Sequence, residues 1–273
     1  MLGLFRTYVV QLKHKLNEIN MYQQKTKKQP YRLDGSEQSM IPILKANMGD
    51  ISGVGIKNRF AIEEFSAGTG VSDLTIFNID KQLINEHIKK RIQPITNNDI
   101  LKTFIYISEN GPLSFVSIAE GMTHTSKQTL KKHLNSLVAF NAVIEIGENI
   151  YQTTLNHLSA AGKKEIIAIE AKVSDWKSGL RQAMRYQEYA DFSYLAVYEE
   201  KINSCLKHKE AFEAMGIGLI GVSNNGIRIY MDASVSIGLK QGHKILAYER
   251  FISIFDERYE PFIARNGFAS NYS

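Results

Sequence analysis

The sequence predicts an α/β fold: a central mixed sheet flanked by helices, interrupted by a second, smaller and largely helical module. Three observations carry this. Over residues 163–235, apolar runs of strand length alternate with helix-length amphipathic segments, the pattern of strands joined through covering helices. Upstream, Arg59–Phe65 and Val71–Phe77 read as two strands joined by Ser66-Ala67-Gly68-Thr69-Gly70, whose glycines permit a tight hairpin. Between these regions, residues 97–153 change to three segments of helical period followed by two short β-type runs.

Taken in order, the first thirty-odd residues are basic. Lys13, Lys15, Lys25, Lys27, Lys28 and Arg32 crowd there, with Glu18 the sole acid before Asp34. Residues 1–35 therefore read as a basic helical arm, which either follows a phosphate backbone or packs Phe5, Val9, Leu12 and Leu16 on the core. Ser36 to Asn47 reads as the first helix of the core and carries Glu37. The second strand of the hairpin holds a single acid, Asp73, among β-branched and aromatic neighbours. A lone carboxylate in such a strand is usually paired or bound to metal.

Asn97 or Asn98 can cap a helix whose apolar positions are Leu101, Phe104, Ile105 and Ser108, ended by Asn110-Gly111-Pro112. Phe115 to Met122 forms a short second helix. A third presents Leu130, Leu134, Leu137 and Val138 on one side, with Lys127, Gln128, Lys131 and Asn135 opposite. Val143–Ile146 and Ile150–Thr153 flank a Gly147-Glu148-Asn149 turn. Three helices and a hairpin resemble a winged helix-turn-helix, in which glutamine and asparagine on the third helix would read base edges. The segment is not basic overall: Lys102, Lys127, Lys131 and Lys132 face Asp99, Glu109, Glu120, Glu145 and Glu148.

Ile167-Ala168-Ile169-Glu170-Ala171-Lys172-Val173 is an apolar strand ending in an acid and an amine two residues apart. Residues i and i+2 of a strand share a face, so Glu170 and Lys172 project together while Ala171 turns away and leaves its carbonyl at the strand edge. Ser174 or Asp175 caps a helix from Trp176 to about Ala190. Gln182 and Tyr186 share one face of it, and Lys177, Arg181 and Arg185 form a basic stripe. Phe192–Tyr198 is a strand, Leu206–Met215 a helix and Ile217–Val222 a strand, from which Asn224-Asn225-Gly226 turns into Ile227–Met231.

This order of elements resembles the PD-(D/E)XK, or restriction-endonuclease-like, nuclease superfamily, in particular its RecB-like branch. Asp73, Glu170 and Lys172 match the metal-binding and catalytic triplet, Gln182 and Tyr186 the branch's Gln-x-x-x-Tyr signature, and Glu37 an additional helix acid. Ser72 stands where the family usually has proline. The resemblance implies a restriction-endonuclease-like core over 36–92 and 160–273, with a winged helix-turn-helix inserted over 93–159. Asp73 and Glu170 are 97 positions apart, where the family has a short link, and the insertion accounts for the gap. Both insertion points are expected at one edge of the sheet. The resemblance further implies that Asp73, Glu170 and the Ala171 carbonyl hold Mg²⁺ or Mn²⁺ for phosphodiester hydrolysis of DNA, with Lys172 acting on the water or the phosphoryl charge. An endonuclease cutting both strands would be expected to act as a homodimer. The competing readings are a DNA-binding regulator with a nuclease-like scaffold and an assembly subunit of a DNA-processing complex.

Composition bounds these readings without choosing among them. With 273 residues, the chain can hold two domains, each with its own core. Its 44% apolar and 22% charged residues are ordinary for a soluble protein, and a net charge of +5 is compatible with nucleic acid. No apolar run approaches membrane-spanning length. Cys205 is the only cysteine, which excludes an internal disulfide, and a cytoplasmic location is expected. The seven histidines show no metal-ligand spacing.

Overall fold

The computed structural model describes residues 32–51, 59–78, 86–87, 90–156 and 165–254. Of the predicted basic arm, residues 1–31 lie outside them. In chain order the elements begin with helix α1 (Met40–Ala46) and the hairpin β1 (Arg59–Ser66) and β2 (Val71–Asn78). Next come α2 (Asn98–Asn110), β3 (Leu113–Ser114), α3 (Phe115–Gly121), α4 (Lys127–Ala139), β4 (Val143–Gly147) and β5 (Ile150–Thr153). The chain then forms β6 (Ile166–Lys172), α5 (Trp176–Tyr186), β7 (Phe192–Tyr198), a 3₁₀ turn (Glu199–Lys201), α6 (Ile202–Leu206) and α7 (Lys209–Met215). It closes with β8 (Gly218–Ser223), β9 (Gly226–Met231) and α8 (Gln241–Ile254).

The six strands of the central sheet lie in the order β1-β2-β6-β7-β8-β9. Neighbours are antiparallel from β1 to β6, parallel from β6 to β8, and antiparallel again at β9. β6 is buried along its length until Lys172, as expected for a strand covered on both faces, whose sequence is a continuous apolar run rather than an alternation. On one face Met40, Ile41, Ile43 and Leu44 of α1 pack over Ile167, Ile169 and Ala171. On the other, Leu180 and Ala183 of α5 meet Leu195 and Val197, and α8 brings Ile245 and Phe251 toward Phe77, Ile166 and Ala168.

A second, three-stranded antiparallel sheet has the order β3-β5-β4 and sits beside α2, α3 and α4. Its helices start where side chains cap them. Asn97 accepts the amides of Asp99 and Ile100 at 2.9 and 3.1 Å, and Ser114 and Ser126 cap α3 and α4. α2 buries Leu101, Thr103, Phe104 and Ile107, and the Ser108 hydroxyl is buried beside them, whereas Val138 of α4 is 39% exposed rather than facing the core. Two further boundaries shift. α5 ends at Tyr186, because i→i−3 bonds from the Gln187 and Tyr189 amides tighten the chain there, and the predicted 206–215 helix starts later, as α7 at Lys209, with the separate α6 ending at Leu206.

Two expectations about the join between the regions need correction. The Asn78 amide bonds the Glu165 carbonyl at 2.9 Å, so the chain leaves and returns at adjoining points. These are the ends of two interior strands, β2 and β6, not an outer edge of the sheet. The connection is a hairpin link, and a loop with neighbouring ends can host a large segment at little cost to the sheet. Nor is the apolar interior of the α2–α4 region separate from that of the sheet. One apolar cluster runs from Phe65 and Phe77 through Ile245, Leu246 and Phe251 of α8 to Leu101, Phe104 and Leu134. Among the described residues, no helix is long and apolar enough to cross a membrane.

Candidate active site where two strands diverge

The β2–β6 ladder runs from Phe77 opposite Ile166 to Leu74 opposite Ile169, and stops. Beyond it the Ala171 amide donates to Asp73 Oδ2 at 2.7 Å, a side-chain carboxylate standing where a backbone acceptor would otherwise be needed. The N–H and C=O of one strand residue project to the same side, so the Ala171 carbonyl faces this opening too. Asp73 and Ala171 are thus brought together across 98 positions of sequence.

Glu170 is 1% exposed. Its Oε1 accepts from Lys172 Nζ at 2.8 Å and its Oε2 from the Tyr186 hydroxyl at 2.6 Å. The same hydroxyl lies 2.6 Å from the Val71 carbonyl, so one proton serves two acceptors. Lys172 Nζ also lies 3.2 Å from Glu37 Oε2, while Glu37 Oε1 accepts the Val173 amide at 3.4 Å. Asp73, Ala171, Glu170, Lys172, Tyr186 and Glu37 therefore converge from four elements: β2, β6, α5 and the segment before α1.

Glu37 is not in a helix as expected. α1 begins only at Met40, and Glu37 stands in the turn before it. Here serine and aspartate side chains bond the backbone locally and compete with helix formation. Asp34 Oδ1 accepts the Ser36 amide at 2.9 Å, Ser36 Oγ the Ser39 amide at 3.2 Å, and Ser39 Oγ donates to the Ser36 carbonyl at 2.7 Å. Tyr198, at the end of β7, accepts the Gly35 amide at 3.0 Å and donates to the Ser36 carbonyl at 2.8 Å. That pins the turn, and Glu37 with it, against the sheet.

Burial pushes the Glu170 carboxyl above its usual range, outweighing the hydrogen bonds from Lys172 and Tyr186 that pull it down. Asp73 is raised for the same reason, with the Ala171 amide and Lys172 opposing and the charges of Glu37 and Glu64 adding. For Lys172, burial alone would favour the neutral amine. The hydrogen bond and charge of Glu170, then those of Glu37, more than offset it, so the amine is held above the usual lysine range and stays protonated. Tyr186 is pushed far up by burial and by its bond to Glu170, which leaves it a donor only.

The remaining expected residues do not join this cluster. Gln182 is half-buried in α5, and its side chain bonds none of the cluster residues. Lys177, Arg181 and Arg185 are exposed on α5, with Lys177 Nζ 5.7 Å from the centre of the Trp176 ring. Lys127, Gln128, Lys131 and Asn135 are exposed on α4, opposite the buried Leu130, Leu134 and Leu137.

Sequence reasoning missed several contributors. Ser72 Oγ and Thr75 Oγ1 lie 2.6 Å apart, and Tyr189 donates to Ser72 at 3.2 Å, a buried polar brace beside Asp73. Glu64 stands opposite Asp73, between the pairs Glu63–Leu74 and Phe65–Ser72, with a left-handed φ of 50°. No sequence signal marks a glutamate for that conformation. The stem of Lys172 lies against Gly179, and there a signal existed, because a glycine inside a helical pattern usually has a packing reason.

No protein-family model, curated protein or solved structure matches the chain. Chemically, the cluster sets the three carboxylates of Glu37, Asp73 and Glu170 against the one ammonium of Lys172. With the Ala171 carbonyl they are all oxygen donors, the kind a hard divalent cation such as Mg²⁺ or Mn²⁺ takes; among the described residues, no group of three or more histidine, cysteine, aspartate or glutamate side chains stands arranged to hold an ion.

Proposed function

We propose that this protein is a metal-dependent DNA nuclease of the PD-(D/E)XK type, with the α2–α4 and β3–β5 region acting as a winged helix-turn-helix that positions DNA. The observation that carries the reading is the 2.7 Å contact from Asp73 to the Ala171 amide. It sets the lone strand acid beside the Glu170-Ala171-Lys172 triplet in spite of the long intervening segment.

In this reading Asp73, Glu170 and the Ala171 carbonyl would hold one or two Mg²⁺ or Mn²⁺ ions. Such an ion, when bound, supplies a Lewis acid for the scissile phosphate and lowers the pKa of a water. Tyr186 keeps Glu170 oriented through its 2.6 Å bond. Lys172, held protonated between Glu170 and Glu37, acts as a fixed cation facing the charge that builds on the phosphoryl oxygens, not as a base toward water. Lys177, Arg181 and Arg185 offer cations to the DNA backbone on the outer side of α5, and Lys127, Gln128, Lys131 and Asn135 offer a polar face to a groove. Incubating the purified protein with supercoiled and linear DNA in Mg²⁺, Mn²⁺ or EDTA tests the reading. Cleavage in metal and none in EDTA is expected; intact DNA under every metal condition would retire it.

One observation favours a second role for the helical region. Ile144, Ile146 and Ile150 of the β4–β5 hairpin are 47%, 51% and 38% exposed, beside the exposed acids Glu145 and Glu148. A hairpin that lay on phosphates would be cationic instead. The apolar surface suits a protein contact, as in an assembly subunit of a DNA-processing complex.

A further inference from the structure

We infer that Gly179 is a positioning residue for Lys172: the missing Cβ at 179 is what lets the lysine stem lie between β6 and α5 and present its amine to Glu170 and Glu37. This rests on the nuclease reading only for the consequence to cleavage; the placement of Lys172 is a matter of geometry.

Gly179 is buried in the interior of α5. Its amide bonds the Asp175 carbonyl at 3.1 Å, within the helical run. It is not among the glycines with positive φ, so alanine could adopt its backbone conformation and would be the better helix former. Space is the remaining reason for glycine here. A Cβ built at 179 would lie 2.7 Å from Lys172 Cγ and 2.6 Å from Leu195 Cδ1, both far inside ordinary carbon contact. The two clashes are not equivalent. Leu195 could answer by moving the tip of its side chain. Lys172 is struck near its root, and Cγ can give way only by leaving its staggered well, which carries the whole stem with it. Nζ would then leave its positions 2.8 Å from Glu170 Oε1 and 3.2 Å from Glu37 Oε2. Lys172 is 15% exposed, so its amine has little room to find the same place by another path.

The test uses Leu195→Val as a common background, which removes the Leu195 Cδ1 clash and leaves Lys172 as the obstacle. In that background Gly179→Ala should cut kcat for DNA cleavage at least tenfold with KM within about twofold. Independently of activity, acylation of lysine amines followed by peptide mass spectrometry should show Lys172 reacting several-fold faster than in the parent, with Lys244, 3% exposed and paired with Asp191 at 2.7 Å, unchanged. General loosening of the structure would speed both. Adding Lys172→Ala removes Cγ, so Gly179→Ala should then leave the thermal midpoint where Leu195→Val/Lys172→Ala has it. If Gly179→Ala unfolds the protein only while Lys172 is present, the inference stands; if it unfolds the protein in both settings, the inference fails. It also fails if Gly179→Ala leaves both cleavage and Lys172 labelling at parental levels. Absence of cleavage in the parent under every metal condition would refute the nuclease reading while the labelling and midpoint comparisons still decide the role of Gly179.

Discussion

The central sheet and the α2–α4 region treat charge in opposite ways. In the sheet, Glu170 and Lys172 are 1% and 15% exposed, ion-paired at 2.8 Å and roofed by a tyrosine. On α4, Lys127, Lys131 and Asn135 are exposed over a leucine stripe. A buried ion pair is costly to desolvate and contributes little net stability compared with apolar packing. Its presence in an otherwise apolar strand therefore points to chemistry, whereas an exposed polar helix face costs nothing and by itself points to nothing. The contrast implies that substitutions in the sheet site should disturb both fold and function, and those on α4 only binding.

The sharpest way to break that contrast is Lys172→Ala. Losing a group that stabilises transition-state charge costs about 3–4 kcal/mol, or roughly a hundred- to a thousandfold in rate. Cleavage should fall by that factor in single-turnover assays while DNA affinity persists. Asp73→Asn should fall comparably but recover in part at high Mn²⁺ if, as proposed, Asp73 is a metal ligand; equal recovery of both variants would undo the division of roles.

Next in size is an effect at the joint between the two regions. Glu249 of α8 accepts the Ile95 amide at 2.7 Å and lies 3.9 Å from His87. Burial raises its carboxyl to about 7 and lowers the His87 imidazole to about 4. A carboxyl raised in the native state contributes stability that is complete below its unfolded value of 4.5 and is lost as pH climbs through about 7. The histidine runs the other way: its contribution is complete above 6.5 and lost as pH falls through about 4. Between those unfolded values the two slopes cancel in the parent. Glu249→Gln leaves the histidine slope alone, so its stability relative to the parent should rise by up to about 3 kcal/mol between pH 4.5 and 7. Parallel denaturation curves across that range would show that Glu249 does not ionise as its burial demands.

Tyr186→Phe comes third. It strips a donor from a carboxylate oxygen in a dry setting, so a loss of about 1–3 kcal/mol is expected in urea unfolding. The matched control, Lys127→Ala, should stay within about 0.5 kcal/mol of the parent. Equal losses would erase the distinction between the two regions. The smallest structural effect and the cleanest binding effect belong together in Lys127→Ala/Gln128→Ala/Lys131→Ala. If both lysines meet phosphates, the slope of log affinity against log salt should shrink by roughly two units, with the thermal midpoint unmoved. An unchanged slope would shift the region toward protein contacts through Ile144 and Ile146.

What the sequence determined alone was local. Alternation and apolar runs located every strand of the central sheet, capping residues narrowed two helix starts to Asn97 or Asn98 and to Ser174 or Asp175, and i, i+2 geometry put Glu170 and Lys172 on one face. These depend on residues a few positions apart, where covalent geometry leaves few choices. The tertiary structure decided what depends on residues far apart. It ended the β2–β6 ladder at Leu74 and Ile169, so that Asp73 could take the Ala171 amide. It held Glu37 in a turn through Tyr198, more than 160 positions away, and joined the apolar interior of the α2–α4 region to that of the sheet through α8. It also showed why position 179 is glycine, since a Cβ there collides with side chains from β6 and β7. No local pattern encodes a clash between segments that meet only after the sheet has formed, because the space in question exists only in the packed protein.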